Sequence, residues 1–347
     1  MSSVYYGTRA RQIVLASRPD RKVTPKNFRV EEVILAEPAD GEVLLAVRYL
    51  SLDPYMRNRM DDRKSYSPPT PVGHAMEGEV VAEVIHSRHR EFTEGEMVRG
   101  RLGWVTHAIS NGTGLTKLDP RFSPWTTALG ILGMPGFTAY AGLLTIGRPE
   151  PGETVVVAAA SGPVGSLVGQ IAKIKGARAV GIAGGREKCE YVLDELGFDA
   201  AIDHRSASFK DQLAQACPNG IDVYFENVGG KIWQAVLPLL NKYARVPVCG
   251  LIAQYDGASV SEADGLASTM REVISRSLTI RGFINTEFSS QKESFLNEVS
   301  GWIVDGRVSY REEIVIGLES APEAFIGMLV GRNFGTVSYT HLRAHET

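Results

Sequence analysis

Residues 154–176, TVVVAAASGPVGSLVGQIAKIKG, carry a β-branched apolar run directly into Ala160-Ser161-Gly162-Pro163-Val164-Gly165. Beyond that turn Val164, Leu167, Val168 and Ile171 recur at helical spacing. A strand, a tight turn and a helix in this order can bind a pyrophosphate. Gly162 lets the backbone approach it, Gly165 lets the helix pack closely, and the N–H groups of the first helical turn meet the charge. Ala160 stands in the place of the first glycine of the usual fingerprint, and a helix entry that merely needs small residues is the alternative reading. The next strand ends in Gly181-Ile182-Ala183-Gly184-Gly185-Arg186-Glu187-Lys188. No carboxylate closes it for a ribose 2′-hydroxyl. Past Gly185, Arg186 and Lys188 oppose the dipole of the helix they open unless an anion lies nearby. A 2′-phosphate would be that anion, which points to NADP(H); a solvated helix start offset by Glu187 is the alternative.

Gly73-His74-Ala75-Met76-Glu77-Gly78 is similar to the GHExxG segment of zinc alcohol dehydrogenases, but Ala75 replaces its glutamate and no cysteine lies near Ser51-Leu52-Asp53. All three cysteines, Cys189, Cys217 and Cys249, come later. A tetrahedral zinc needs three or four ligands that this region does not offer, so no metal is expected and His74 reads as structural. Hydride chemistry without a Lewis acid is easiest on an enone, whose oxygen takes up the charge as an enolate held by one or two hydrogen-bond donors. Tyr255, in Cys249-Gly250-Leu251-Ile252-Ala253-Gln254-Tyr255, follows the fifth strand, and Tyr55, in Leu52-Asp53-Pro54-Tyr55-Met56-Arg57, follows a strand of the first part. Each is a candidate catalytic and substrate-binding donor; each also fits an amphipathic core position with its hydroxyl satisfied. Met60, Tyr66 and Ile109 are candidates for setting the pocket width.

These groups must be held by two kinds of element. To about residue 128 the chain reads as short strands between Gly, Pro and Asp turns, EVLLAVRYLSL, GEVVAEVI and EMVRGRLGWVTHAI, which predicts a β-rich barrel-like domain. From about residue 150 six apolar runs alternate with helical segments, which predicts a doubly wound parallel sheet in an α/β fold. After about residue 302, EEIVIG, the helical ESAPEAFIGMLVG and a last strand-like piece return to the first domain. The end, GTVSYTHLRAHET, holds two of the seven histidines and loses its core-facing beat after Tyr339, so residues from about 340 read as a disordered or foreign tail. The 347 residues are 44 % hydrophobic with a formal net charge of −3 and no block of like charge, which argues against nucleic acid or an anionic membrane as partner. The polar N-terminus and the lack of a long apolar run argue against secretion or a membrane span, leaving the cytoplasm and a small-molecule ligand.

Together SLDPYMRNRM, LGMPGFTAYAGL, AAASGPVGSLVGQIAKIKG, ENVGG, CGLIAQY and GRNFG resemble the zinc-independent medium-chain dehydrogenases/reductases, in the group of prostaglandin and alkenal double-bond reductases. LASRP and SYSPP draw the chain toward the bacterial curcumin-reductase branch. The resemblance covers residues 10–336. It implies a GroES-like catalytic domain at 1–128 plus 303–339, a Rossmann domain at 129–302, and NADPH-dependent reduction of an activated alkene, usually by a homodimer. It also implies Pro163, Val164, Gly165 and Ser166 at the pyrophosphate, Lys188 at the 2′-phosphate, and Asn227 with the run Cys249, Gly250, Leu251, Ile252 to Tyr255 at the ribose and nicotinamide. Phe283, Ile284 and Asn285 would cover the nicotinamide, Asn333 would reach in from the terminal segment, and Tyr66 would meet substrate. His204 departs from the family tyrosine near the adenosine phosphate; a cationic imidazole there would contact phosphate in a pH-dependent way. Thr336 replaces the family lysine after GRNFG, which places the last strand in doubt. Quinone reduction, a non-catalytic NADPH-binding sensor and a nucleotide-dependent methyltransferase are the rival functions.

Overall fold

The structure is a computed structural model that describes residues 7–120, 123–255 and 265–340. It has two compact units, one running to Leu129 and resuming at Glu312, the other spanning Gly130 to Arg311.

The first unit opens with β1 (Thr8–Leu15) and β2 (Phe28–Leu35), paired antiparallel. Then follow β3 (Val43–Leu52), the short helix α1 (Tyr55–Arg59), β4 (Glu79–Ser87), β5 (Met97–Arg101), β6 (His107–Ser110) and β7 (Thr116–Lys117). β3 is the centre: β4 and β6 pair antiparallel along its two edges, and the side chains of Val43 to Val47 are buried on both faces. Trp104 anchors the core below, with Phe28 stacked on it at 5.6 Å and Phe325 edge-on at 5.6 Å.

In the second unit, α2 (Met134–Ala141) leads into β8 (Thr154–Ala158), α3 (Pro163–Ile174), β9 (Arg178–Ala183), α4 (Arg186–Asp194), β10 (Ala200–Asp203) and α5 (Phe209–Ala216). The second half holds β11 (Ile221–Phe225), α6 (Gly230–Val236), β12 (Leu240–Val248), α7 (Gly265–Arg276), β13 (Thr279–Gly282) and α8 (Lys292–Val304). All six strands are parallel, in the order β10-β9-β8-β11-β12-β13. Parallel strands need crossover helices that bury both sheet faces, and Val155, Val156 and Val157 of β8 are accordingly fully buried. Leu167, Val168 and Ile171 of α3 are buried as their spacing predicts, whereas Val164 remains half-exposed at the helix entry.

The second unit runs to Arg311 rather than ending at residue 302. Ser309 is the reason: its N–H donates to Gln170 Oε1 at 2.7 Å and its carbonyl accepts from Gln170 Nε2 at 2.9 Å, tying this stretch to α3. The chain then completes the first unit with β14 (Glu312–Ile316), α9 (Ala321–Leu329) and β15 (Thr336–Thr340). The doubt over the last strand is corrected here. β15 lies between β14 and β3, pairing parallel with one and antiparallel with the other, and Thr340 belongs to it. Residues 341–347, the rest of the expected tail, lie outside the described residues.

Candidate active site

The strand order reverses between β8 and β11, and in open parallel sheets ligands bind outside the carboxyl ends of the strands at such a point. The Gly162-Pro163-Val164-Gly165 turn follows β8, with Gly162 as the extended residue before the helix and Pro163 at its first position. A Cβ at Gly165 would lie 2.3 Å from the Ala159 carbonyl oxygen and 2.8 Å from Ala160 Cα, so α3 can start this close to the turn only without a side chain there. Its first-turn N–H groups have no intrahelical acceptors and point out of the helix end. Ser166 is buried just behind them.

At the end of β9, the turn through Gly184 and Gly185 is closed over by the following strand end. Asp203 Oδ1 accepts the N–H groups of Gly185 and Arg205, each at 2.9 Å. A Cβ at Gly184 would meet His204 Nε2 at 2.9 Å and Arg205 Nε at 3.2 Å. Lys231 Nζ donates to the His204 carbonyl at 2.9 Å. The structure thus gathers His204, Arg205 and Lys231 about this turn, and Lys188 lies half-buried on α4. Arg186 leans outward instead and pairs with Glu190 at 2.6 Å. Burial, with the adjacent Lys231 and Arg205 charges, lowers the His204 pKa below the ordinary 6.5, which favours the neutral imidazole near pH 7. Arg205 and Lys231 escaped the sequence reading because they flank other elements. Their one local signal is the basic DHR at the end of β10.

The loops after β11 and β12 are joined rung by rung. Cys249 and Gly250 donate to the Glu226 carbonyl at 2.9 and 3.3 Å, Ile252 to Asn227 at 3.2 Å, and Ala253 to Val228 at 3.1 Å. Asn227 Nδ2 donates to the Ala158 carbonyl at 2.9 Å, which links this platform to the end of β8. Beneath it Glu226 Oε1 accepts from Val228 N at 2.7 Å, Gly229 N at 2.8 Å and the Tyr224 hydroxyl at 3.0 Å. Burial pushes the Glu226 carboxyl above its ordinary range, while these donors pull it back. Burial and Glu226 push the Cys249 thiol up to about 12. Tyr255 closes the segment, and a Cβ at Gly250 would lie 3.0 Å from its hydroxyl oxygen, so that hydroxyl rests over bare backbone. Phe283 is buried against Phe225 and Phe288, leaving its backbone as the part that can meet a ligand. Ile284 is exposed, and Asn285 Nδ2 donates to Thr138 Oγ1 at 3.2 Å.

The first unit carries Tyr55, Tyr66 and Asn333. Tyr55 opens α1, and burial, then the nearby Asp53 charge, raise its phenol pKa so that it stays a donor. Tyr66 lies on the loop after α1, and Asn333 Nδ2 donates to the Gly335 carbonyl at 3.1 Å. His74 is exposed, its N–H on the Pro71 carbonyl at 3.1 Å and its carbonyl on Leu15 N at 3.0 Å. Among the described residues no group of three or more His, Cys, Asp or Glu comes together as a metal site, and no helix is long and apolar enough to cross a membrane. Asp53, which the sequence reading passed over, is buried beside Tyr55.

Fold and turn together define a dinucleotide-binding α/β protein with a separate β-rich unit. Residues 11–118 match the family model described as the N-terminal domain of oxidoreductase, and residues 163–300 match the one described as zinc-binding dehydrogenase. The chain is 51 % identical over 333 residues to the NADPH-dependent curcumin reductase of Escherichia coli (strain K12), covering 95 % of this chain and 96 % of that one. It is 42 % identical over 317 residues to prostaglandin reductase 1 of Mus musculus, covering 90 % and 93 %. The crystal structure of CurA in complex with NADPH from Vibrio vulnificus matches with a TM-score of 0.93 at 49 % identity, covering 96 % of this chain and 99 % of that one. The chain belongs to the zinc-independent medium-chain dehydrogenase/reductase family. The zinc in the second model's description has no counterpart in GHA, where Ala75 follows His74, or in the cysteines, all of which lie in the second unit.

Burial pushes the Asp53 carboxyl from 3.8 up to about 7, with Glu79 adding to the rise and Arg101 opposing it. The folded chain therefore holds a proton that the unfolded chain releases near pH 4, and the stability this gives is lost as the pH rises through about 7. The full change corresponds to roughly 4 kcal/mol. Asp53→Asn, which does not ionise, should raise the Tm over the parent protein by several degrees more at pH 8 than at pH 5. Equal differences in thermal unfolding at the two pH values would remove this acid from the stability of the first unit.

Proposed function

We propose that this protein reduces the carbon–carbon double bond of an α,β-unsaturated ketone or aldehyde, with NADPH, when bound, supplying the hydride to the β-carbon. The observation that carries the reading is the platform at the sheet's switch point, where Tyr255 holds its hydroxyl over Gly250. The residues fit the cofactor. The turn at Gly162, Pro163, Val164, Gly165 and Ser166 offers N–H groups and a surface closed to any Cβ at Gly165. Beyond Gly185, Lys188, Arg205 and Lys231 supply the cations for a 2′-phosphate, with the His204 imidazole beside them and Arg186 on the rim. Asn227, Cys249, Gly250, Leu251 and Ile252 form the ribose and nicotinamide side, joined by Phe283, Ile284 and Asn285; Asn333, on the first unit, is assigned to the cofactor by its GRNFG motif. Curcumin and prostaglandin, named for the two relatives, support a conjugated carbonyl substrate.

Tyr255 donates its hydroxyl hydrogen bond to the carbonyl oxygen as negative charge gathers there. Solvent supplies the α-proton, since among the described residues no side chain of the platform is placed as a dedicated acid. Tyr55 and Tyr66 are assigned to substrate binding from the first unit, Tyr55 as a phenol that remains protonated. A cytoplasmic setting is supported by the free cysteines, which stay reduced there. A homodimer is supported by β13, an edge strand whose residues are all exposed, together with the uncovered apolar stripe Leu266, Met270 and Ile274 of α7.

Tyr255→Phe should lower turnover about ten-fold or more, the scale of one transition-state hydrogen bond. NADPH oxidation is followed anaerobically with a graded set of enals, enones and quinones. Faster turnover of quinones would transfer the function to quinone reduction, and binding without any oxidation would leave a sensor. NADPH should bind more tightly as the pH falls below the ordinary imidazole value of 6.5, because protonated His204, set among Asp203, Arg205 and Lys231, adds a positive charge at the phosphate. His204→Phe should flatten that slope and NADH should never show it; a slope that persists in the variant places the titrating group elsewhere. Ile274→Asp should shift the mass measured by light scattering from dimer to monomer, and a parent protein that is already monomeric refutes the assembly.

A further inference from the structure

The two first-unit tyrosines assigned to substrate are joined by a side chain that neither sequence pattern nor relatives single out. Arg59, the last residue of α1, is only 1 % exposed, although arginine is rarely buried without partners. Its guanidinium Cζ lies 4.3 Å from the centroid of the Tyr66 ring, a stacked distance, and 6.0 Å from that of Tyr55, one helical turn earlier. In its own plane Nη1 donates to the Ser67 carbonyl at 2.7 Å. Glu77 Oε2 lies 3.8 Å from Nε, an ionic contact that leaves Nε without a hydrogen bond. The Arg59 carbonyl accepts from Thr70 N at 2.8 Å. Arg18 Nη1 holds the two ends of the loop from Met60 to Thr70, at the Met60 and Thr70 carbonyls, while Arg59 holds its later part by the backbone at Ser67 and Thr70 and by the ring of Tyr66.

Arg57 provides an internal comparison. It is buried to the same degree, yet it reaches Asp61 at 2.7 Å and the Arg21 carbonyl at 2.7 Å, contacts that hold α1 to the rest of the unit. Arg59 instead reaches Tyr66 and Ser67, further along the loop. More than half of Tyr66 is solvent-exposed, so the guanidinium face is what orients a ring that packing does not enclose.

We infer that Arg59 is a positioning residue: its buried guanidinium stacks under Tyr66 and, by bonding Ser67, presents that ring to substrate. The inference rests on the substrate role of Tyr66 proposed above. A lysine keeps the charge but cannot stack and bond in plane at once. The effect therefore belongs to the planar group rather than to the charge.

The test uses the full chain carrying Arg59→Lys. KM for a long-chain enone should rise about ten-fold, with kcat and the NADPH Kd moving far less, because only a substrate contact has lost its orientation. In a Tyr66→Ala background the same substitution should add nothing further to KM, since the two residues act as one unit. Independently of any activity, trypsin should cut after the exposed Arg63 and Lys64 about ten-fold faster in Arg59→Lys, and at the parent rate in Tyr66→Phe, which keeps the ring. KM losses that add across the double variant, or cleavage rates unchanged by Arg59→Lys, overturn the proposal. A parent protein that reduces no enone would sink the functional reading while the cleavage rates still decide whether Arg59 holds the loop.

Discussion

The second unit's ligand end hangs on one buried carboxylate. Glu226 stands at the tip of β11, where the parallel ladder would otherwise end in unpaired backbone groups, and it gathers two backbone N–H groups and the Tyr224 hydroxyl onto a single oxygen. Hydrogen bonds to a charged acceptor contribute about 1.5–3 kcal/mol each, against a desolvation cost that its raised pKa reflects. With the Glu226 backbone also taking the N–H groups of Cys249 and Gly250, the segment that carries Tyr255 has its course set from below. Its geometry is inherited from the sheet rather than from the loop's own preferences.

The parts legible in the sequence are those whose cause is local. The turn after β8 could be read because small residues, a proline and an apolar helix face occur consecutively, and the Gly165 contact with the Ala159 carbonyl follows from that order. The six parallel strands could be read because each is a short apolar run between turn residues. Arg59, Glu226 and Asp53 could not: a charged residue in a linear string gives no sign that distant segments will bury it, nor did Lys231 show that its Nζ would reach the His204 carbonyl. β15 failed for a related reason. Its Thr336, Ser338 and Thr340 are buried although polar, because β14 and β3 satisfy its backbone from both sides whatever the side chains are.

The two units hold opposite chemistry. Around β9, β10 and α6 the second unit collects basic groups, while the Asp203 carboxylate is occupied by the Gly185 and Arg205 N–H groups, which suits a dianionic phosphate. Near α1 the first unit encloses Asp53 with Tyr55, Glu77, Glu79 and Arg101, where burial raises the acid to about 7 and keeps the phenol protonated. Placed in such surroundings, neutral donors can bond a carbonyl without opposing charge that develops on it.

The thiols of this chain meet a particular hazard. Conjugated carbonyl compounds alkylate thiolates by the same addition at the β-carbon through which they are reduced, and the nucleophile is the thiolate, not the thiol. Burial pushes Cys189 and Cys217 to about 11, and with Glu226 it pushes Cys249, beside the platform, to about 12. At neutral pH the thiolate population at Cys249 is therefore vanishingly small. The carboxylate that shapes the platform also protects the catalyst from covalent inactivation by the electrophiles it is proposed to consume.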